Sequence, residues 1–455
     1  MALVLGIDSS TQSTKVEVRQ LADGALVAGG RGAHPPTTPP RSEQDPRAWV
    51  GALGEAIGQC GTQTDLGAVV AVSVAGQQHG LVVLGDDDEP LRPAKLWNDT
   101  ESAAEADELV RGDGPRFWAD ACGSVPVAAF TITKLAWLAA HEPAVFDNVE
   151  QVLLPHDFLT WWLTGEAVTD RGDASGTGWW SPREDAWDLS LLARVSDGVD
   201  WAGRLPRILG PTETAGAAGP RAQALGLPAS AVVGPGTGDN MAAALGLGLA
   251  PGDLALSFGT SGTAYAVSRT PTADATGAVA GFADASGHYL PLVCTLNATK
   301  VTDAVARLLG VDHDQFDTLA LDGGPGANGV VLVPYLDGER TPNRPDATGS
   351  IVGLRSDIDR PMLARAAVEG VVCGLLEGAD ALAAAGVDTT SGRIAMIGGG
   401  TRSAAYRRVV ADLVQRRLVI PAADELVALG ACVQAAMVAD GVGADEVARR
   451  WGLGE

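Results

Sequence analysis

Cysteine is sparse and scattered in this 455-residue chain. Five residues, Cys60, Cys122, Cys294, Cys373 and Cys432, are odd in number, far apart and never in CxxC spacing. That arrangement argues against a disulfide framework and against a zinc site, and it fits a reducing cytoplasm. Positive charge is also short: 32 Lys and Arg stand against 56 Asp and Glu, giving a formal charge of -24. Lysine is scarce even beside arginine, and no basic run appears, so nucleic acid and anionic membrane surfaces are poor partners. An anionic substrate must therefore be held by local backbone donors and a metal, because the global field repels it. The chain also lacks a charge-free apolar stretch of about 18 residues. Its start, MALVLGID, has no basic segment and meets Asp8 before any signal-length apolar run, so a soluble, unsecreted protein is expected.

What is present is length and repetition. A single core stops growing near roughly 250–300 residues, so a chain of this size predicts two core-bearing domains. Strands alternate with amphipathic helices, and ALVLGIDSSTQSTKVEVRQL reads as two β-rich runs around a small-polar turn. The pattern returns at Leu254 as LALSFGTSGTAYAV, where Thr260 and Thr263 fall on Thr11 and Thr14. A strand, a Gly/Ser/Thr turn and a second strand near the start of each half predict a duplicated domain. The Pro/Gly/Ala-rich segment LGPTETAGAAGPRAQALGLPASAVVGPGTGDN separates the halves, which places the boundary near residue 232 and the domains at 1–232 and 233–455.

A Gly/Ser/Thr turn after a strand aims backbone N–H groups and hydroxyls at one point, as a phosphate requires where cations are few. Two facing turns would clamp a polyphosphate, and Asp8, at the end of the first strand, could hold Mg²⁺ through its hard oxygens. The alternative for each turn is a tight hairpin whose side chains satisfy its own backbone. In GRIAMIGGGTRSAAYRR an apolar strand, Ile394–Ile397, enters three glycines before a helix that begins near Ser403. Such a triplet permits close approach to a flat ligand such as adenine, with Arg402 and Ser403 at the rim, or is merely a flexible linker. VVGPGTGDN fails the dinucleotide fingerprint, since Asp239 stands where a glycine is needed. Asp239 opens the helix that follows, either as an ordinary N-cap or as a functional carboxylate.

Taken in order, GIDSSTQSTK, SEQDP, GQQHG, RPAKLWND, LLPHDFLTWWLTGE, TDRGDASGT, GPGTGDN, LSFGTSGT, LVPYLDGERTPNRP and IGGGTRS span nearly the whole chain. This set resembles the xylulokinases of the FGGY carbohydrate kinase family. The resemblance implies an α/β fold of two ribonuclease-H-like domains, of the actin and Hsp70 ATPase type, closing over a cleft for Mg-ATP and an open-chain ketopentose, D-xylulose. It places Asp8 near the metal and Thr11, Gln12, Ser13 and Lys15 on the first phosphate-facing hairpin. Gly259, Thr260 and Ser261 fall on the second, and Gly399, Gly400 and Ser403 match the adenosine motif. Asp239 matches the proton acceptor. Gln78, His79, Asn98, Asp99, Asp239 and Asn240 are expected to ring the sugar, and Trp97 either covers its carbon face or packs in the core. The resemblance also allows a homodimer.

Two positions depart from the family pattern: Gln78 stands where many xylulokinases have Met, and Glu101 where they commonly have Arg. Both bear on which sugar is taken, so a kinase of another ketose or polyol stays open beside D-xylulose. A non-kinase ATPase of the same superfamily is disfavoured, because no β-rich peptide-binding domain follows the ATPase core.

Overall fold

The opening apolar run, Leu3–Ser9, is a fully buried strand in a computed structural model that describes residues 1–454. It turns back antiparallel into Ser13–Gln20, with Asp8 opposite Lys15 and Ser9 opposite Thr14. Leu26–Ala33 continues the antiparallel sheet on one side, while Val69–Gly76 and then Val232–Val233 add parallel on the other. Parallel strands buried on both faces read as near-continuous apolar runs, as VVAVSVAG does.

The second sheet repeats the plan. Leu254–Phe258 and Gly262–Ala266 form its hairpin, and Tyr289–Thr295 continues antiparallel. Ile394–Ile397 and Leu418–Val419 then add parallel beyond the first strand. Three antiparallel strands followed by two parallel ones is the ribonuclease-H-like order, present twice. The two turns differ by one residue: Ser9 pairs with Thr14 across Ser10–Ser13, whereas Phe258 pairs with Gly262 across Gly259–Ser261.

The expected division at 232 falls inside the first sheet. The segment taken as a spacer contains the strands Gly216–Ala217, Val232–Val233 and Thr237–Gly238, the last two pairing with Val69–Gly76. Two-residue strands carry no readable period, and so the sheet edge looks like a linker in sequence. The chain leaves the first sheet only after Gly238, through the helix Asp239–Gly246, and enters the second at Leu254. Glu455, the last residue of the second expected domain, lies outside the described residues.

A second crossing closes the seam. Helix Leu426–Asp440, near the end of the chain, packs on the first sheet and on Asp239–Gly246. Glycines let these elements touch: a Cβ on Gly430 would lie 1.7 Å from the Ala242 carbonyl oxygen, and one on Gly6 would lie 2.3 Å from that of Ala428. Buried from Ala428 to Val438, the helix Leu426–Asp440 is apolar there on every side except at Gln434, whose amide nitrogen donates to the Gly236 carbonyl (2.9 Å). Among the described residues no single helix is long and apolar enough to cross a membrane. The seam fixes the start of Asp239–Gly246, which carries Asp239, against the ends of the first sheet's central strands.

Candidate active site

The two hairpin turns treat their hydroxyls differently. In the first, Ser10 Oγ donates to the Ser13 carbonyl (2.9 Å), and Thr11 Oγ1 donates to Gln77 Oε1 (3.1 Å) while accepting from Trp97 Nε1 (2.9 Å). Satisfaction of the turn by its own neighbourhood is therefore part of the answer there. In the second, the Gly259 and Thr260 carbonyls accept from Thr299 N and Ala298 N, at 2.9 and 3.2 Å. The hydroxyls of Thr260 and Ser261, both exposed, have no partner among the described residues. A rigid backbone holding free hydroxyls is a ready-made anion contact.

Three cavities meet around these turns. The first, about 640 Å³, is lined by Gly259, Thr260, Gly399, Gly400 and Ser403. The second, about 660 Å³, is lined by Thr11, Gln12, Ser13, Lys15 and Asn98. The third, about 280 Å³, is lined by Gln78, His79, Asp239, Asn240 and Ser261, with Phe130 and Phe282 as apolar wall. Thr260 and Ser261, adjacent in sequence, thus face a large cavity and a small one respectively. Trp97 borders both the second and the third; at 48% exposure it is not a core residue.

The glycine triplet is not a flexible linker. Gly398 has a left-handed backbone (φ 87°), and a Cβ there would lie 2.8 Å from the Phe258 carbonyl oxygen. A Cβ on Gly400 would lie 2.7 Å from the Phe258 side chain, whereas Gly399 meets nothing within 4 Å. Two of the glycines serve packing, and the middle one opens the cavity. Ser403 is the N-cap of Ala404–Val414, accepting from Tyr406 N (3.1 Å) and donating to Asp317. Asp317 also accepts from Ala404 N and Ala405 N, so this helix end is closed by protein groups.

Asp239 is not an N-cap. Gly238 occupies that position, and Asp239 is the first helical residue, its Oδ1 accepting from Asn240 N (2.8 Å) and Asn240 Nδ2 (3.0 Å). Asn240 Nδ2 also donates to Gln78 Oε1 (2.8 Å), which ties the helix start to the buried Gln78. Asp239 keeps partial access to the cavity, yet the protein around it pushes its carboxyl up to about 7. Burial is the main cause, and the charges of Asp8 and Asp173 add to it. Asp8 is pushed up to about 6 by burial, against the pull of Lys15 Nζ at 3.7 Å. Its Oδ1 is buried with no hydrogen-bond partner among the described residues, so Asp8 could take a hard cation without giving up a protein contact.

His79 has a left-handed backbone (φ 65°) and stacks on Phe130, with ring centroids 5.1 Å apart and planes 8° apart. A Cβ on Gly176 would lie 2.2 Å from its Nδ1, so only glycine leaves room for the ring. Burial, reinforced by the charges of Lys134 and Arg340, pushes the imidazole down to about 3; it is a neutral hydrogen-bonding group at physiological pH. Behind these loops His156 is fully buried, with Nδ1 2.9 Å from Asp173 Oδ2 and Nε2 3.1 Å from Asp157 Oδ1. Burial works against its charge, but Asp157 and Asp173 outweigh it and hold the imidazolium up to about 9. Asp170, 3.8 Å from His156, accepts from Thr237 Oγ1 (2.7 Å), two residues before Asp239.

Two residues expected around the sugar sit elsewhere. Asp99 is fully buried and turned away from the small cavity. Its oxygens accept from Ser42 N (2.8 Å), Lys95 Nζ (3.2 Å) and Glu101 N (3.1 Å). Asn98 borders the 660 Å³ cavity beside Thr11 and Gln12. The turn at Leu96–Asp99, closed by Asp99 N donating to the Leu96 carbonyl (3.1 Å), points neighbouring side chains in different directions. Glu101 pairs with the buried Lys95 (2.6 Å) alongside Glu43 and Asp99, and does not line the small cavity. The acidic trio Glu43, Asp99 and Glu101 has the spacing of a cation site, but the Lys95 ammonium already fills it. Sequence reasoning missed Arg340, Phe130 and Phe282 as lining residues. Their elements lie far apart in the chain and share no pattern with the hairpins.

Family models match both halves: the N-terminal domain of the FGGY family of carbohydrate kinases over residues 3–246, and its C-terminal domain over residues 254–439. The chain is 51% identical over 452 residues to a xylulose kinase of Streptomyces coelicolor, covering 99% of this chain and 90% of that protein. It is 34% identical over 453 residues to a xylulose kinase of Haemophilus influenzae, covering 97% and 91%. Among solved structures, xylulose kinase from Bifidobacterium adolescentis aligns with a TM-score of 0.89 at 40% identity, over 97% of this chain and 93% of that one. Glycerol kinase from Plasmodium falciparum, at 20% identity and a TM-score of 0.88 over 100% and 93%, shares the fold.

Proposed function

This chain belongs to the FGGY family of carbohydrate kinases, and from that membership we infer that it transfers the γ-phosphoryl group of ATP to D-xylulose, giving D-xylulose 5-phosphate and ADP. The observation that carries the reading is the single turn Thr260–Ser261 between a large cavity and a small one, with Asp239 in the small one. The small cavity, about 280 Å³, lies below the roughly 300–1,000 Å³ of drug-sized sites and suits a small polyol.

In this reading the adenosine lies in the 640 Å³ cavity beside Gly399, Gly400 and Ser403. The phosphates cross Gly259, Thr260 and Ser261 toward Thr11, Gln12, Ser13 and Lys15 of the facing hairpin. Asp8 would hold Mg²⁺, which when bound supplies neutralising charge to the phosphates. Gln78, His79 and Asn240 meet the sugar hydroxyls, and a site built of paired donors and acceptors rejects a sugar that leaves them unpaired. Phosphoryl transfer asks mainly for alignment and charge stabilisation. Asp239 accepts the proton of the C5 hydroxyl as its oxygen bonds to phosphorus, and a carboxyl at about 7 is matched to that task near neutral pH.

The reading includes a cytoplasmic location and a small-molecule partner rather than nucleic acid or membrane. The support is five cysteines with no disulfide and a charge of -24. Assembly as a homodimer belongs to the same reading and is checked by sedimentation. Sugar-dependent ADP release across ketoses, pentitols and glycerol tests the substrate. D-xylulose should give the highest kcat/KM; preference for another ketose or a polyol would replace the sugar, and no sugar dependence would remove the kinase reading.

A further inference from the structure

We propose that Arg340 is a catalytic residue of this site, a guanidinium from the C-terminal half that grips the phosphoryl group as it moves onto the sugar. The inference rests on the phosphotransfer reading above and adds a residue to it.

Three observations carry it. First, Arg340 is the one Lys or Arg side chain among the described residues lining the 280 Å³ cavity that holds His79 and Asp239. Second, its base is fixed. The preceding Glu339 is buried, and its carboxylate accepts from Leu296 N (2.6 Å), Asn297 Nδ2 (2.8 Å) and Arg340 N (2.8 Å). The loop also closes on itself through Glu339 and Arg344, whose backbones exchange hydrogen bonds at 2.9 and 2.8 Å. Third, the Arg340 guanidinium makes no hydrogen bond or ion pair with any described residue.

Arg31 and Arg402 line the two large cavities and not the small one, and the lysines are engaged. All four lysines have partners: Lys15 lies between Asp8 and Glu425, Lys95 among Glu43, Asp99 and Glu101, Lys134 on the carbonyls of Ala128, Ala129 and Phe130, and Lys300 with Asp337. A half-buried guanidinium, rooted in a pinned loop and left without an anion, is set up for one that arrives.

The chemistry identifies that anion. The substrate sugar is neutral and can take only hydrogen bonds from a guanidinium, whereas the sugar phosphate is a dianion formed beside Asp239, with Asp8 and Asp173 nearby. In the transfer, the C5 oxygen forms its bond to the γ-phosphorus and the bond from that phosphorus to the β–γ bridging oxygen breaks. ADP leaves with the electron pair, and the hydroxyl proton goes to Asp239. Charge thus enters the small cavity only as the reaction proceeds. A fixed cation there favours the transition state and product over the bound sugar, which is the condition for raising kcat. The planar fork of Arg suits phosphate oxygens better than the point charge of Lys.

The test compares wild type, Arg340→Met and Arg340→Lys for kcat, for the dissociation constants of ATP and D-xylulose measured separately, and for inhibition by D-xylulose 5-phosphate. Arg340→Met should lower kcat by about 100-fold. It should also weaken D-xylulose 5-phosphate by more than about tenfold, leaving D-xylulose and ATP within about twofold, with Arg340→Lys in between. Parallel weakening of sugar and sugar phosphate would make Arg340 an ordinary sugar contact and overturn the proposal, as would unchanged kcat. Should Arg340→Met not fold, Arg340→Lys decides by the same split between sugar and sugar phosphate. A wild type that phosphorylates sugar while both variants match it refutes this inference alone. A wild type with no sugar-dependent turnover refutes the kinase reading beneath it.

Discussion

Replacing Asp239 by Asn should lower turnover sharply and raise stability at once. Burial, with Asp8 and Asp173 adding to it, lifts the carboxyl from 3.8 to about 7, a difference worth roughly 4 kcal/mol at about 1.4 kcal/mol per pH unit. The folded value lies above the unfolded one, so the favourable contribution of this group is complete below pH 3.8 and lost as pH rises through about 7. Above pH 7 the native protein therefore carries an unfavourable buried charge that Asn removes. Asn keeps one oxygen to accept from Asn240 N, and Asp239 keeps some access to the cavity, so a net gain of about 1–2 kcal/mol is the realistic expectation. For domains of this size that is an increase of about 2–8 °C in Tm. The same variant loses the proton acceptor, and kcat should fall by about 10²–10⁴. Turnover and thermal midpoint, measured on one preparation at pH 5.5 and 8.5, check both. The gain in Tm should shrink at pH 5.5, where wild-type Asp239 is largely protonated. A folded variant retaining more than about a tenth of the parental rate, or a lower Tm at pH 8.5, would refute the reasoning.

Thr260→Val and Asp8→Ala should each weaken the use of Mg-ATP while leaving sugar binding nearly intact. Unchanged ATP and Mg²⁺ dependence in both would remove these residues from the phosphate site. His79→Ala should reduce kcat/KM for the sugar more than tenfold, about 1.4 kcal/mol or more, with ATP affinity unmoved. A variant that handles every ketose like the parent would leave His79 as the packing partner of Phe130 alone. Glu101→Gln removes the 2.6 Å partner of the buried Lys95 but keeps Glu43 and Asp99. Thermal denaturation should show a loss of about 1–3 kcal/mol, and a changed sugar preference would contradict its placement outside the cavity.

The duplicated plan was legible because both hairpins are long, apolar and turned by small polar residues, so that Thr11 with Thr260 betrays a shared geometry. The seam was not, because Val232–Val233 and Thr237–Gly238 are too short to show alternation and sit among prolines and glycines. Gln78, His79, Asp239 and Asn240 come together through the motifs that suggested them. Asp99 does not, since sequence adjacency to Asn98 says nothing of which way a tight turn sends each side chain. Glu101 looked like a change in the sugar site for the same reason; its charge answers Lys95, which a linear reading cannot see. Arg340 is hidden in the sequence because the loop held by Glu339 lies against a cavity whose other polar residues are at least 77 positions away, apart from Cys294 and Thr295 in the second sheet.

The central claim is that one turn joins a nucleotide cavity to a sugar cavity with Asp239 at the meeting point. A crystal structure with D-xylulose, Mg²⁺ and a non-hydrolysable ATP analogue tests it most directly. The account predicts adenine beside Gly399, the terminal phosphate at Thr260 and Ser261, and the C5 oxygen of the sugar about 2.6–3.2 Å from the Asp239 carboxylate. Sugar bound outside the 280 Å³ cavity, or an Asp239 carboxylate held only by Asn240 and out of reach of every sugar hydroxyl, would contradict it.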